Sequence, residues 1–257
     1  MLNTQKPIQE LSIEDTLTMT INIYMSNFII FFAPVAIAVL ISGVLSKVVT
    51  DYFANVSLMV TTPADLLGFF LTLLAVVFIM AIFSWIVSTI ASGICVKSAA
   101  DLIEGGKANL GVSFDVTVSR IISLLGATLI VGILIFIGII ALIVPGIILA
   151  IMFCLVIPTI MIENVGVMDS MSRSRKLVNN RWLKTFAIFL IIALGMLFIT
   201  FVAGLIAVPF GIIGWLINIA ITALLEPVAY IAITVHYYSM WAREQARKVP
   251  LPPPPPF

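Results

Sequence analysis

The sequence predicts an all-α polytopic membrane protein, with six transmembrane helices paired into three hairpins and amphipathic segments on the inner face. Three observations carry this. Hydrophobic residues fill 62% of the 257 positions and charged residues only 10%, against roughly 45–50% and about 25% in soluble chains. A fold of this composition cannot cover its surface with polar groups. Charges are also absent from four long runs, between Asp15 and Lys47, Asp65 and Lys97, Arg120 and Glu163, and Lys184 and Glu226. A hydrocarbon core about 30 Å thick needs around 20 apolar helical residues, so each run holds one or two spans. Finally, these runs lack the apolar/polar alternation of a membrane barrel. The net charge of +1 leaves no basic footprint for nucleic acid.

The first run predicts a helix over 27–46, behind a polar segment that begins near Asp15. Residues 1–20 hold no apolar stretch of signal-peptide length, so this helix is expected to act as an uncleaved anchor. The second run predicts a helix over 67–95. The third is interrupted by Pro145-Gly146, read as a turn between helices at 121–143 and 146–162, because proline cannot continue a helix and glycine supplies the reversal. The fourth is divided at Pro209-Phe210-Gly211 into helices at 184–206 and 212–239, the second passing through Glu226-Pro227. Residues 1–249 then form a single membrane domain, and 250–257 a stiff polyproline tail.

Orientation follows from Lys and Arg. With the N-terminus inside, the inner segments hold Lys6, Lys97, Lys107, Arg120, the run from Arg173 to Lys184, and Arg243, Arg247 and Lys248, whereas the outer ones hold Lys47 alone. Both termini are therefore expected on the cytoplasmic side of a plasma membrane. Asp15-Thr16-Leu17-Thr18 aligns without gaps with Asp169-Ser170-Met171-Ser172, and Asn27-Phe28 then falls opposite Arg181-Trp182. A looser third copy runs from Ser113 to Arg120. Three hairpins, each introduced by an interfacial helix, is the simplest plan, and internal repeats are common in transport folds.

Two groups of residues are candidate sites. Glu226 is the one carboxylate deep in a span, where a charge costs at least about 2.5 kcal/mol unless neutralised or solvated. Thr222, Tyr230 and Tyr237 share its helical sector, and Pro227 frees the carbonyl of Ala223. The arrangement reads either as a proton or cation site or as a hydrogen-bonded structural Glu at a kink. In the segment 166–184, an amphipathic helix would lay Arg173, Arg175, Lys176 and Arg181 toward anionic headgroups of the inner leaflet, with Asp169 pairing to Arg173 at i,i+4. The plainer reading is a topological anchor for the fifth span. Glu163 is expected to pair with Arg173 or Arg181. Ser84, Ser88 and Ser92 read as a packing stripe. Cys95 and Cys154 read as small apolar residues, and the single His236 cannot build a histidine metal cluster. No cofactor is expected.

Pro145-Gly146-Ile147-Ile148, Val156-Ile157-Pro158, Glu163, Gly166 and the stretch Asp169 to Val178 containing Arg173-Ser174, closing on Arg181-Trp182, carry a resemblance. Together they resemble the membrane domain that some bacteria fuse to glycerophosphoryl diester phosphodiesterase, and its stand-alone prokaryotic relatives. About 40 residues match well, and the remainder matches in hydropathy and hairpin order. Ser170 departs from the pattern, where alanine is usual. The resemblance implies a fold and a membrane role, and makes Pro145, Gly146, Pro158, Glu163, Ser174 and Pro227 structural positions. It does not imply the fused enzyme's activity, since spans and short loops use up the whole chain. The expected function is a non-enzymatic membrane module serving membrane-lipid or envelope organisation, with the bilayer as partner and protein partners or self-association left open. The alternative is a small transporter or channel subunit with Glu226 in its pathway. An intramembrane enzyme is the weakest reading, because acidic and His residues do not cluster.

Overall fold

A computed structural model describes residues 6–57 and 61–248, and the polyproline tail lies outside the described residues. Among those residues the fold is all-α, without strands. Five helical stretches are long and apolar enough to cross a membrane: Phe28–Ser57, Pro63–Ile103, Ile121–Ala141, Ile143–Glu163 and Trp182–Lys248. The chain is an integral membrane protein in contact with lipid. Rows of large side chains such as Phe70, Leu74, Phe78, Leu197, Phe198 and Phe201 face outward, which only a bilayer tolerates over such an area.

The element order repeats three times. A short helix α1 (Ile13–Ser26) leads into the long pair α2 (Phe28–Ser57) and α3 (Pro63–Ile103). The short α4 (Leu110–Ser119) leads into α5 (Ile121–Ala141), which returns through α6 (Ile143–Phe153) and α7 (Val156–Glu163). The short α8 (Val167–Val178) leads into α9 (Trp182–Ala207) and α10 (Gly211–Lys248). Each short helix packs on the preceding return helix: α4 on α3, α8 on α7, and α1 on α10, which closes a ring. The return helices α3, α7 and α10 also meet one another. The internal duplication expected from the Asp15 and Asp169 segments is therefore matched by a cyclic, threefold packing order.

Burial is concentrated at the end of the bundle that carries the short helices, here the charged end. Ile103, Ile160, Ile231, Tyr237, Tyr238 and Met240 are fully enclosed there. The long helices outrun their predicted spans at this end or at the other. The helix α3 continues to Ile103 rather than stopping near 95, and α10 continues to Lys248 rather than 239. A charge ends an apolar run, but it need not end a helix. Lys97 stays inside α3 because Asp101, one turn on, takes its ammonium at 2.5 Å. The helix α2 likewise continues to Ser57 past Lys47, which pairs with Asp51 at 3.0 Å.

The expected reversal at Pro145-Gly146 is corrected. The chain turns at Leu142, whose extended backbone (φ −168°, ψ 145°) separates α5 from α6. Pro145 lies in the first turn of α6, where the missing N–H would have had no helical partner anyway. Gly146 serves packing: a Cβ placed on Gly138 would stand 2.9 Å from the Gly146 Cα, so the two helices touch backbone to backbone. The predicted helix over 146–162 is also divided. Pro158 has no N–H for the Cys154 carbonyl and its ring crowds that group, and the helix breaks at Cys154-Leu155. The Ser174 hydroxyl on α8 repairs the break, donating to the Met152 carbonyl at 2.8 Å and accepting from the Leu155 N–H at 3.2 Å.

The second reversal stands where expected. Val208–Phe210 forms one 3-10 turn and Gly211 takes φ +54°, a region that side-chain-bearing residues seldom adopt. At about 1.5 Å per residue, an unbroken helix from Trp182 to Lys248 would be about 100 Å long. The turn folds it back, so that α9 packs along α10.

Candidate functional site

The carboxylate of Glu226 opens on a cavity of about 490 Å³ between α2, α3 and α10. On α10, Asn218, Thr222 and Glu226 recur every four residues and all line it; on α2, Ser42 and Ser46 face them; on α3, Ser84 and Ser88 complete the wall with the Trp215 ring. A second cavity of about 280 Å³ shares Ser42, Ser46 and Ser84 and reaches Thr50. A polar track thus runs from Glu226 toward the end of the bundle opposite the charged one. Glu226 has no hydrogen-bond or ion-pair partner among the described residues. The hydroxyl of Thr222 donates to its own helix at the Asn218 carbonyl (2.9 Å), as does Thr50 to Ser46 (2.8 Å). Their oxygens remain able to accept from a ligand.

Of the three predicted partners in this sector, the structure brings Thr222 and Glu226 to one cavity. The Tyr230 hydroxyl instead meets Ser88 Oγ at 3.5 Å. Tyr237 lies further along, its hydroxyl donating to Glu163 Oε1 at 2.6 Å. Near Pro227, the Tyr24 hydroxyl reaches over from α1 and donates to the Leu224 carbonyl at 2.8 Å; the acceptor taken is one residue beyond the expected Ala223. The serine stripe is not a uniform packing face either. Ser92 is buried and bonded to Thr89, whereas Ser84 and Ser88 border the cavity. The sequence signal that would have revealed the whole site is the second polar spacing, Ser42-Ser46-Thr50, set against Asn218-Thr222-Glu226.

The charged end is a network of ion pairs. Arg173 Nε meets Glu163 at 2.8 and 3.1 Å, and its Nη2 meets Glu244 at 2.7 Å. The expected Asp169–Arg173 pair is not formed: Asp169 stays exposed, because two carboxylates on other helices offer Arg173 shorter contacts within the fold. Hydrogen bonding to Glu244 raises the guanidinium's pKa, burial opposes this, and Glu163 adds to the rise. Arg181 binds Glu10 at 2.8 Å, not Glu163, and Lys184 joins the same carboxylate at 2.7 Å. Lys184 also donates to the Leu11 carbonyl, and the Leu11 N–H donates to Ser239 Oγ at 2.9 Å. Residues 10–11 are thereby strapped onto α9 and α10. Arg120 donates to the carbonyls of Ile160 and Met161, and Tyr238 to Glu104 at 2.8 Å.

Of the four basic residues expected to face headgroups, Arg173 is therefore turned inward and Arg181 is engaged by Glu10, while Arg175 and Lys176 remain exposed. The pairings of Glu10 with Arg181 and Lys184 and of Glu244 with Arg173 were not anticipated, since they join distant parts of the chain and no local spacing signals them. His236 is fully buried, sharing a 2.9 Å hydrogen bond with Thr185.

Burial pushes the Glu10 carboxyl upward, but the hydrogen bonds and charges of Arg181 and Lys184 outweigh it and hold its pKa at about 2, against an ordinary 4.5. A carboxyl depressed on folding contributes stability that is complete above the unfolded value and lost as pH falls through the folded one. The strap is therefore expected to loosen between pH about 4.5 and 2. The protection of the Leu11 amide against hydrogen exchange, relative to its intrinsic rate at each pH, should fall across that window, and Glu10→Gln should give low protection at every pH. Acid-independent protection in the wild type would refute the role of Glu10.

Comparison of the chain with family models, with curated proteins and with solved structures returned no match.

Proposed function

We propose that the chain is a small solute-handling membrane protein that binds a polar or cationic solute at Glu226 and passes it along the track of hydroxyls. One observation carries this reading: the unpaired carboxylate of Glu226 borders an open cavity of about 490 Å³ whose largely apolar wall carries Ser, Thr and Asn side chains. Small-molecule sites usually occupy about 300–1,000 Å³, with a few placed polar groups on a mostly apolar wall. A carboxylate in a membrane span is costly unless it is solvated, protonated or paired. Room for water and a cation beside it answers that cost, and intramembrane carboxylates commonly mark ion and proton pathways. Trp215 adds an aromatic face able to attract a cation.

Six crossings in three hairpins, with the charged end cytoplasmic, is the accompanying topology. It is supported by twelve of the thirteen Lys and Arg residues falling in the inner segments. In a background lacking Cys95 and Cys154, cysteine at position 51 should react with an impermeant reagent in intact cells, and cysteine at 175 only after permeabilisation. Labelling of 175 from outside would reverse the arrangement.

Glu226→Gln preserves size and hydrogen bonding while removing the charge. In reconstituted vesicles it is expected to abolish proton or monovalent-cation flux and to leave thermal stability within about 1 kcal/mol of the wild type. Flux at the background of protein-free vesicles in the wild type itself would remove the solute-handling reading. The second reading, a non-enzymatic module serving membrane-lipid or envelope organisation, is favoured by the resemblance to the phosphodiesterase-fused membrane domain. In this structure Ser174 and Pro158 of that motif work together at one helix break.

A further inference from the structure

Between α8 and the final turns of α10 the charged end holds a small cavity of about 80 Å³, lined by Lys176, Asn179, Arg243, Glu244 and Arg247 with the side chains of Leu177 and Met240. At about 30 Å³ per water, it has room for two or three waters or for one tetrahedral oxyanion. Its charge balance is uneven. Glu244 is ion-paired with Arg173 at 2.7 Å and with Lys248 at 3.4 Å, although its buried Oε2 makes no hydrogen bond. Arg243 is 8% exposed and donates through Nη1 to the Asn179 carbonyl at 3.1 Å, while Glu10 approaches its Nε at 3.5 Å. Its Nη2, equally buried, has no partner. Lys176 and Arg247 make no ion pair among the described residues.

We infer that this cavity is a phosphate-binding site in which Arg243 is the buried anchor and Lys176 and Arg247 close over the oxyanion. A buried donor left without an acceptor is costly, and a guanidinium presents paired N–H groups matched to phosphate oxygens. The bound group is either a free phosphate or the phosphate of a lipid headgroup. The site is distinct from the Glu226 cavity, and its failure would leave the solute-handling reading standing.

The test uses the full chain in nanodiscs of neutral phosphatidylcholine at fixed ionic strength. In one arm inorganic phosphate replaces chloride, with binding followed by equilibrium dialysis of radiolabelled phosphate. In the other a short-chain phosphatidylglycerol is titrated and binding followed by native mass spectrometry. Saturable binding of about one equivalent per chain is expected in at least one arm: phosphate alone identifies the free anion, and the lipid alone identifies a headgroup. Lys176→Gln with Arg247→Gln, both at exposed positions, is expected to weaken that binding at least tenfold with an unchanged melting temperature. Arg243→Lys, which keeps the charge and removes the fork, should weaken it as well. Absence of saturable binding in both arms, or binding by the double variant equal to the wild type, would overturn the site.

Discussion

Replacement of Arg173 by methionine is expected to cost about 2 kcal/mol of stability, between the worth of an exposed ion pair and the cost of breaking a buried one, because its side chain and its partners are partly exposed. Its guanidinium joins Glu163 at the end of α7 to Glu244 on α10, while Tyr237 holds the same Glu163 oxygen from a third direction. Without the arginine, two partly buried carboxylates face each other, and of the two cations on them only Lys248, 3.4 Å from Glu244, remains. Lysine at this position keeps the charge but offers a single point in place of a fork, so it should recover only part of the loss. The variant with Arg173→Met, Glu163→Gln and Glu244→Gln removes all three charges and is expected to regain most of the stability, since a neutral replacement carries no uncompensated charge. Unfolding in detergent measures all four proteins. A loss below about 1 kcal/mol for Arg173→Met would mean that the triad behaves as a solvated surface pair.

The other large effect is expected at Gly214. It stands one turn after the Gly211 reversal, and a Cβ built there runs into the backbone carbonyl of Ala207. A backbone group at a helix end cannot swing aside as a side chain can. Gly214→Val should therefore separate α9 from α10 at their closed end and cost about 3 kcal/mol, at or above the upper range for overpacking. Gly195→Ala in the same hairpin is the control, because nothing lies within 4 Å of a Cβ at that position. It should be neutral or gain up to about 1 kcal/mol from the lower backbone entropy of alanine. Equal stability of the two variants would show that the close approach at Gly214 is not required.

Membrane character, helical class and the reversal at Pro209 to Gly211 were set by composition and by charge-free runs, whereas the other expected reversal moved from Pro145-Gly146 to Leu142. Burial in lipid forces every backbone group into a helix, so hydropathy alone locates such segments. The threefold order of a short helix before each long pair was likewise visible in the Asp15 and Asp169 repeats. Helix ends were not: Lys97 and Lys47 are carried inside helices by carboxylates one turn away, and local charge marks the end of apolarity, not of hydrogen bonding. Proline was misread in the same way. Pro145 opens a helix and Pro158 breaks one, and the difference lies in whether a carbonyl four residues earlier needed its N–H. Glu226 stood out by itself, because a lone carboxylate in an apolar run is rare. Its cavity did not, since that depends on α2, α3 and α10 turning their serine, threonine and asparagine rows toward one another. Pairings such as Arg181 with Glu10 and Arg173 with Glu244 were decided by the tertiary structure alone, because a flexible arginine takes whichever carboxylate the packing of distant helices brings within reach.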